Sequence, residues 1–300
     1  MFLTTINNYF TLIRVPNLFT VISNILVGYF LVVATYDIDI YQLFYLILVS
    51  IFLYIGGVVM NDLFDIKLDK SERPERPLPS NQIKKKNAII ICIVSISISL
   101  FISFFLLHYY TFIITLSMIL LIIIYNSKTK KNKWRSVTLG SIRCLNIFLG
   151  TSISIFNLNY NLLPFIIILT VTFFYIFSIS MLSRDESKQI NQTNTIRSSF
   201  IIMYVIIFFT FISILFGDNF FDTIALVNLI IFTILIIYFN LKCLGNIYPS
   251  TIQWTVKNLI LSIIIFDSIF IAGLAGLFYG LAILLLIIPP IILSKKSRVT

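Results

Sequence analysis

Apolar runs long enough, or nearly long enough, to cross about 30 Å of hydrocarbon recur along the chain. They lie at roughly 15–34, 41–60, 88–107, 110–126, 137–156, 162–182, 199–216, 221–239, 256–274 and 277–293. With 59% hydrophobic and only 11% charged residues, the 300-residue chain falls among polytopic membrane proteins. The runs lack the strict alternation of barrel strands, and lipid leaves no backbone group unpaired, so helices are the spans the pattern allows. The expected fold is therefore all-α, a polytopic membrane helical bundle of nine to ten transmembrane helices. One integral-membrane domain over 1–300 is expected, and the last hairpin, 256–293, decides between nine and ten.

The net charge of +10 would suit nucleic acid only if it were gathered on one folded face, but the basic residues lie in short loops between apolar runs. With the N-terminus inside, Arg14, seven residues in 61–87, five in 127–136, then Arg184, Lys188, Arg197, Lys242, Lys257, Lys295, Lys296 and Arg298 all share one side. The opposite turns, near 35–40, 108–110, 157–161, 217–222 and 275–278, hold no Lys or Arg. This one-sidedness places both termini on the cytoplasmic or stromal side of a bacterial inner membrane or a plastid membrane. The first fifteen residues lack the order of a signal peptide, so the first run is expected to be retained. Cys92, Cys144 and Cys243 are scattered and form neither a CxxC pair nor an even framework.

Against this background Asn61 to Ser80, NDLFDIKLDKSERPERPLPS, is an island holding five of the twelve acidic residues. Asn61, Asp65 and Asp69 are spaced i, i+4, i+8, and Asp62 precedes Asp65 by three, so a helix running out of the preceding span puts all four on one face. Like charges so placed repel each other and oppose the helix dipole at a C-terminus, which calls for a cation. Magnesium suits the set, because it takes one or two carboxylates, waters and phosphate oxygens. Arg73 and Arg76 follow at once, in a loop stiffened by Pro74 and Pro77. Guanidinium forks match phosphate, so the island reads as a magnesium-diphosphate site against the alternative of a solvated charged loop.

The string NDxxDxxxD followed by ERPxRPxPS resembles the first aspartate-rich motif of the UbiA superfamily of intramembrane prenyltransferases. Ser141 to Ser152 (SIRCLNIFLGTS), Leu182 to Ser187 (LSRDES) and the closing AGLFYGLAILLLIIPP are similar to the UbiA-like EboC branch. The resemblance implies a second acidic loop on a facing helix end, here Ser183-Arg184-Asp185-Glu186-Ser187-Lys188. Asp185 and Glu186 are adjacent and so do not share a helix face, a departure from the spaced carboxylates of the family. It further implies that Asn17 and Asn24, seven apart on the first span, face the substrate cavity. Interhelical hydrogen bonding is the alternative. Tyr125 stands in the place of a tyrosine-containing family motif at the border of the acceptor pocket.

The expected activity is transfer of a prenyl group from a polyprenyl diphosphate to an unidentified acceptor, with Mg2+. Asp62, Asp65, Asp69 and Asp185 would hold metal, with Glu186 beside them as part of the catalytic set. Asn61, Arg73, Arg76, Lys128, Lys130, Arg184, Arg143 and Asn146 would bind substrate. Polar residues inside spans are costly and therefore informative. Arg143, about two turns inside its span, could meet a diphosphate or an acidic partner, and Asp267 could pair with it, be protonated or face the cavity. His108 reads as a solvated turn residue. The alternative function is a noncatalytic isoprenoid- or metabolite-binding or transport-related membrane protein of an EboC-type pathway. Partners are the bilayer and small molecules, not nucleic acid.

Overall fold

The structure is a computed structural model that describes residues 2–33, 37–127, 134–159, 162–183, 193–216 and 221–296. It is all-helical among these residues, and nine of its helical segments are long and apolar enough to cross a membrane. The first helix, α1 (Phe2–Ile13), is short and amphipathic and lies against the third. Arg14 ends it in the left-handed conformation, φ 53°, and Val15–Asn17 forms a tight turn containing Pro16 before α2 (Leu18–Val32) enters the bundle. The sequence reading ran the first span from residue 15 and did not separate α1 from it.

The longest element is α3 (Ile40–Glu72), 33 residues. Asp39 caps it by accepting from the Tyr41 and Gln42 amides. At 1.5 Å per residue it is about 50 Å long, so roughly 20 Å of it exceeds the hydrocarbon core. That excess carries the acidic row. It stops at Arg73, where Pro74 follows and cannot continue the hydrogen-bond ladder. The next helices are α4 (Lys85–Phe105), α5 (Tyr109–Ser127), α6 (Trp134–Thr151), α7 (Leu162–Ser183), α8 (Thr193–Phe216) and α9 (Ala225–Gly245). His108 lies exposed in the turn between α4 and α5.

The interior is built where α2, α6, α7, α9 and the ninth span meet. Between α2 and α6 the backbones touch. A Cβ on Gly28 would lie 1.9 Å from the Ile147 carbonyl oxygen, and one on Gly150 would lie 2.4 Å from that of Ile25. Small residues permit such crossings where lipid offers no hydrophobic drive between helices. The ninth span is two helices, α10 (Pro249–Leu261) and α11 (Ile263–Ala275), broken at Ser262. Tyr175 of α7 holds the break, its hydroxyl 2.9 Å from the Leu259 carbonyl and 2.8 Å from the Ser262 hydroxyl.

After Gly276, whose φ of 94° suits a residue without Cβ, comes the stretch expected as a tenth span. It is not one long helix. α12 (Leu277–Leu284) and α13 (Ile288–Lys296) are joined by a 3-10 turn, and the apolar part, Leu277–Leu293, is shorter than the nine spans. Nonetheless α13 packs against the Val15–Asn17 turn, so this segment returns to the end of the bundle from which α2 started.

Candidate functional site

The acidic island forms the last turns of α3 and the loop after it. Asp62, Asp65 and Asp69 are 5, 8 and 5% exposed, whereas Phe64 and Leu68 between them are 55 and 49% exposed, so the spacing of the carboxylates does place them on the protein-facing side. Their cation comes from the chain itself. Arg14 Nη2 donates to Asp62 Oδ1 at 2.7 Å, Arg76 Nη1 donates to Asp69 Oδ2 at 2.9 Å, and Arg76 also stands 3.7 Å from Asp62 Oδ1. The repulsion anticipated from the row is therefore relieved by two guanidinium groups. Arg14 had entered the sequence reading only as a basic residue of the inner side; its spacing from the island, forty-eight residues, gave no local signal.

The two guanidinium groups are not equivalent. Burial opposes the charge of Arg14, but Asp62 together with Tyr54, Tyr125 and Asp69 more than compensates, and its pKa is raised. For Arg76, burial and then the neighbouring Arg14 outweigh Asp62 and Asp69, and its pKa is lowered. Both stay protonated. The loop of Arg76 is tied down: the Ser80 amide donates to the Arg76 carbonyl, the Ile83 amide to the Pro77 carbonyl, and Leu78 and Ile83 are buried against Leu12, Val59 and Ala88. Arg73 caps α3 through its amide and is partly exposed, as is Asn61.

Below the acidic layer a polar column follows α2. The Asn17 side chain faces the Tyr54 hydroxyl, which lies within electrostatic reach of Arg14, Arg143 and Asp62. One turn on, Thr20 meets Arg143, whose Nη1 donates to the Thr20 carbonyl at 3.2 Å and to Asn24 Oδ1 at 3.1 Å, and whose Nη2 donates to Thr20 Oγ1 at 3.0 Å. Asn24 Nδ2 in turn donates to Asp267 Oδ2 at 2.8 Å, which also accepts from Ser23 Oγ at 2.5 Å.

Several expected substrate contacts are corrected by this geometry. Asn24 is wholly buried with both ends of its amide engaged, so the interhelical alternative describes it. Asn146 is 2% exposed; its Oδ1 accepts from Ser50 and its Nδ2 donates to the Val21 carbonyl at 2.9 Å, joining α3, α6 and α2. Neither has a polar atom left to offer a substrate directly. Of the options for Asp267, the structure has a pairing with Arg143 that passes through Asn24. The Tyr125 hydroxyl accepts from Arg135 Nε at 3.1 Å, and that guanidinium also sits 5.4 Å over the ring. Arg135 was not selected from the sequence. Lys128, Lys130, Arg184, Asp185 and Glu186 lie outside the described residues; α7 is described as far as Ser183.

Among the described residues no three His, Cys, Asp or Glu side chains close around one point. Magnesium does not require that, since it keeps several waters and uses one or two carboxylates with phosphate oxygens. A buried row of hard oxygen donors, here paired with guanidinium groups, fits that ion in kind.

The sequence pattern of the UbiA prenyltransferase family matches residues 21–263. The digeranylgeranylglyceryl phosphate synthase of Sulfurisphaera tokodaii is 29% identical over 256 residues, covering 78% of this chain and 87% of that protein. The synthase of the same name from Methanocaldococcus jannaschii is 37% identical over 109 residues, which is 35% of this chain and only 38% of that relative's length. Among solved structures, a UbiA homolog from Aeropyrum pernix K1 superposes with a TM-score of 0.66 at 12% identity, covering 93% of this chain and 98% of that one. A UbiA homolog from Archaeoglobus fulgidus bound to GPP and Mg2+ gives 0.61 at 15% identity, with 92 and 99% covered.

Proposed function

Because the chain belongs to the UbiA prenyltransferase family, we propose that it is a multi-pass membrane prenyltransferase, one domain over its whole length, that moves a prenyl group from an isoprenoid diphosphate to a nucleophilic acceptor. The observation that carries this is the buried row Asp62, Asp65 and Asp69 interlocked with Arg14 and Arg76 at one end of the bundle. In the reaction the bond from the prenyl C1 to the diphosphate oxygen breaks, a bond from C1 to the acceptor forms, the acceptor loses a proton, and diphosphate leaves.

The residues divide that work. Asp62, Asp65 and Asp69 supply carboxylate oxygens for a divalent cation, with Asp185 as a further ligand and Glu186 beside it. Magnesium, when bound there, neutralises charge on the departing diphosphate. Arg76 and Arg14, released from the carboxylates, turn their N–H donors to the diphosphate oxygens, with Arg73, Lys128, Lys130, Arg184 and Asn61 around them. Asn17 and Tyr54 stand beside the acidic layer, and the apolar side chains of the surrounding spans would exclude water from the allylic carbon until the acceptor attacks. The two relatives from Sulfurisphaera tokodaii and Methanocaldococcus jannaschii are named as digeranylgeranylglyceryl phosphate synthases, so a lipid-linked glyceryl phosphate is the first acceptor to test. Assignment to the EboC branch is a proposal carried by the strings at 141–152, 182–187 and the C-terminal run alone.

The test is to incubate the purified protein with labelled geranylgeranyl diphosphate and a glyceryl phosphate lipid, with magnesium or with chelator. Magnesium-dependent release of diphosphate together with a prenylated lipid supports the reading. Tight binding of the diphosphate without turnover favours a noncatalytic binder, and neither outcome with either ligand defeats both.

A further inference from the structure

Asp267 is a carboxylate in the middle of α11, 0% exposed, with Oδ2 accepting from Ser23 and Asn24 and Oδ1 without a partner among the described residues. Packing alone does not call for it, since a small apolar side chain there would spare the desolvation of a buried charge. What it does is directional. A carboxylate only accepts hydrogen bonds, so it draws the Nδ2 end of Asn24 toward itself and leaves the Oδ1 end for Arg143. With Thr20 offering its carbonyl and hydroxyl, three of the five guanidinium N–H groups are then fixed, and Nε–H with one Nη2–H remain to be used. A permanent cation in this setting also requires a counter-charge, and the carboxylate joined to its hydrogen-bond network is Asp267.

We propose that Asp267 is a positioning residue which, acting through the amide of Asn24, sets the orientation and charge balance of Arg143, so that the free edge of that guanidinium receives a phosphate oxygen of a substrate. The proposal rests on the prenyl-transfer reading. It deepens it by adding a mid-membrane phosphate contact distinct from the acidic row at the end of α3. Phosphate oxygens could come from the donor diphosphate or from a phosphate-bearing acceptor, and the two sources are separated by the probe.

Binding is measured by calorimetry on the full chain in detergent, using inorganic diphosphate with magnesium as one probe and a monoalkyl glyceryl phosphate as the other. Asp267→Asn removes the obligatory acceptor and frees Asn24 to present either end to Arg143. One probe is expected to weaken about tenfold, the scale of one lost hydrogen bond to a charged group. The decisive variant exchanges the two groups, Asn24→Asp with Asp267→Asn, which puts the carboxylate on Arg143 directly and lets the new amide at 267 donate to it. This double variant conserves charge and volume and is expected to recover affinity to within about threefold of the parent, the residual being ordinary non-additivity between touching residues. A packing role would gain nothing from the exchange. Parental binding of both probes by folded Asp267→Asn overturns the proposal, as does a folded exchange variant that fails to recover. If Asp267→Asn does not fold, the exchange variant is compared with Arg143→Gln: recovery in the first and loss in the second supports the relay, and equal loss overturns it. A parent protein that binds neither probe and does not turn over geranylgeranyl diphosphate defeats the functional reading instead.

Discussion

Replacing Arg76 by Met should strengthen magnesium binding and weaken diphosphate binding at once. In the structure Arg76 donates to Asp69 at 2.9 Å and approaches Asp62 at 3.7 Å, with the arginine side chain 17% and each carboxylate 7% exposed. A metal ion entering the row must displace this guanidinium, so part of its intrinsic affinity is spent on breaking the contact. A hydrogen bond to a charged group in a partly buried setting contributes about 1.5–3 kcal/mol. Removing the competitor should therefore raise magnesium affinity, in the absence of any diphosphate, by roughly 10- to 100-fold, at 1.4 kcal/mol per tenfold. The same change deletes the donor fork meant for phosphate, so diphosphate measured at saturating magnesium should bind about tenfold or more weakly. Titrating each ligand separately into detergent-purified parent and variant reads both signs. Unchanged or weaker magnesium binding by a folded Arg76→Met protein would refute the idea that the arginine and the metal compete for the same carboxylates.

Other consequences follow from the same geometry. Gly28→Ala and Gly150→Ala each drive a Cβ into backbone and should cost about 1–3 kcal/mol or prevent folding, whereas Gly245→Ala, with open space at its Cβ, should alter a thermal melt in detergent negligibly. Asp62→Asn should lower diphosphate affinity at fixed magnesium and also lower the melt, because it leaves the Arg14 guanidinium without its carboxylate partner; a folded variant with parental affinity would exclude that carboxylate as a contributor. Placing Asp at Ser183, three residues before Glu186, creates an i, i+3 carboxylate pair. It should raise the rate of diphosphate release more than it changes binding, and no effect on either would put the second loop outside the reaction. Single cysteines at positions 81 and 294, in a background lacking Cys92, Cys144 and Cys243, should label from the same side of the membrane, and one at 108 from the other.

Long-range order was legible in the sequence wherever one physical requirement dominated. The need to cross hydrocarbon located the nine spans, although the helices at Ile40–Glu72, Thr193–Phe216, Ala225–Gly245 and Pro249–Ala275 run well beyond the apolar runs, and the i, i+3, i+4 pattern gathered Asp62, Asp65 and Asp69 on one helix face. Tertiary partners were not legible, because nothing local ties Arg14 to Asp62 or Ser23 to Asp267, which is 244 residues away. Polar residues inside spans were correctly singled out as informative, yet Asn24 and Asn146 turned inward to one another's helices. In lipid an amide satisfied by groups on neighbouring helices is as good a solution as one facing a cavity, and sequence spacing alone does not distinguish the two. The last hairpin stays between nine and ten: the apolar stretch Leu277–Leu293 is shorter than the nine spans, yet α13 packs against the Val15–Asn17 turn.

The overhang of α3 gives the protein a sensitivity to its solvent that no side chain supplies. From Asp62 to Glu72 the helix rises about 16 Å, so the height of the carboxylate row above the hydrocarbon is set by how much of Ile40–Asn61 the bilayer covers. That lower part is twenty-two residues, about 33 Å, nearly matched to an average membrane core. In a bilayer thickened by only a few ångströms, hydrophobic mismatch would draw Asp62 and its arginine partners toward the acyl chains, where a charge must tilt the helix, thin the lipid or lose its water. Reconstitution in lipids of increasing acyl length should thus change the chemical environment of the candidate site without altering a residue, which makes the thickness of the host membrane a variable of its chemistry.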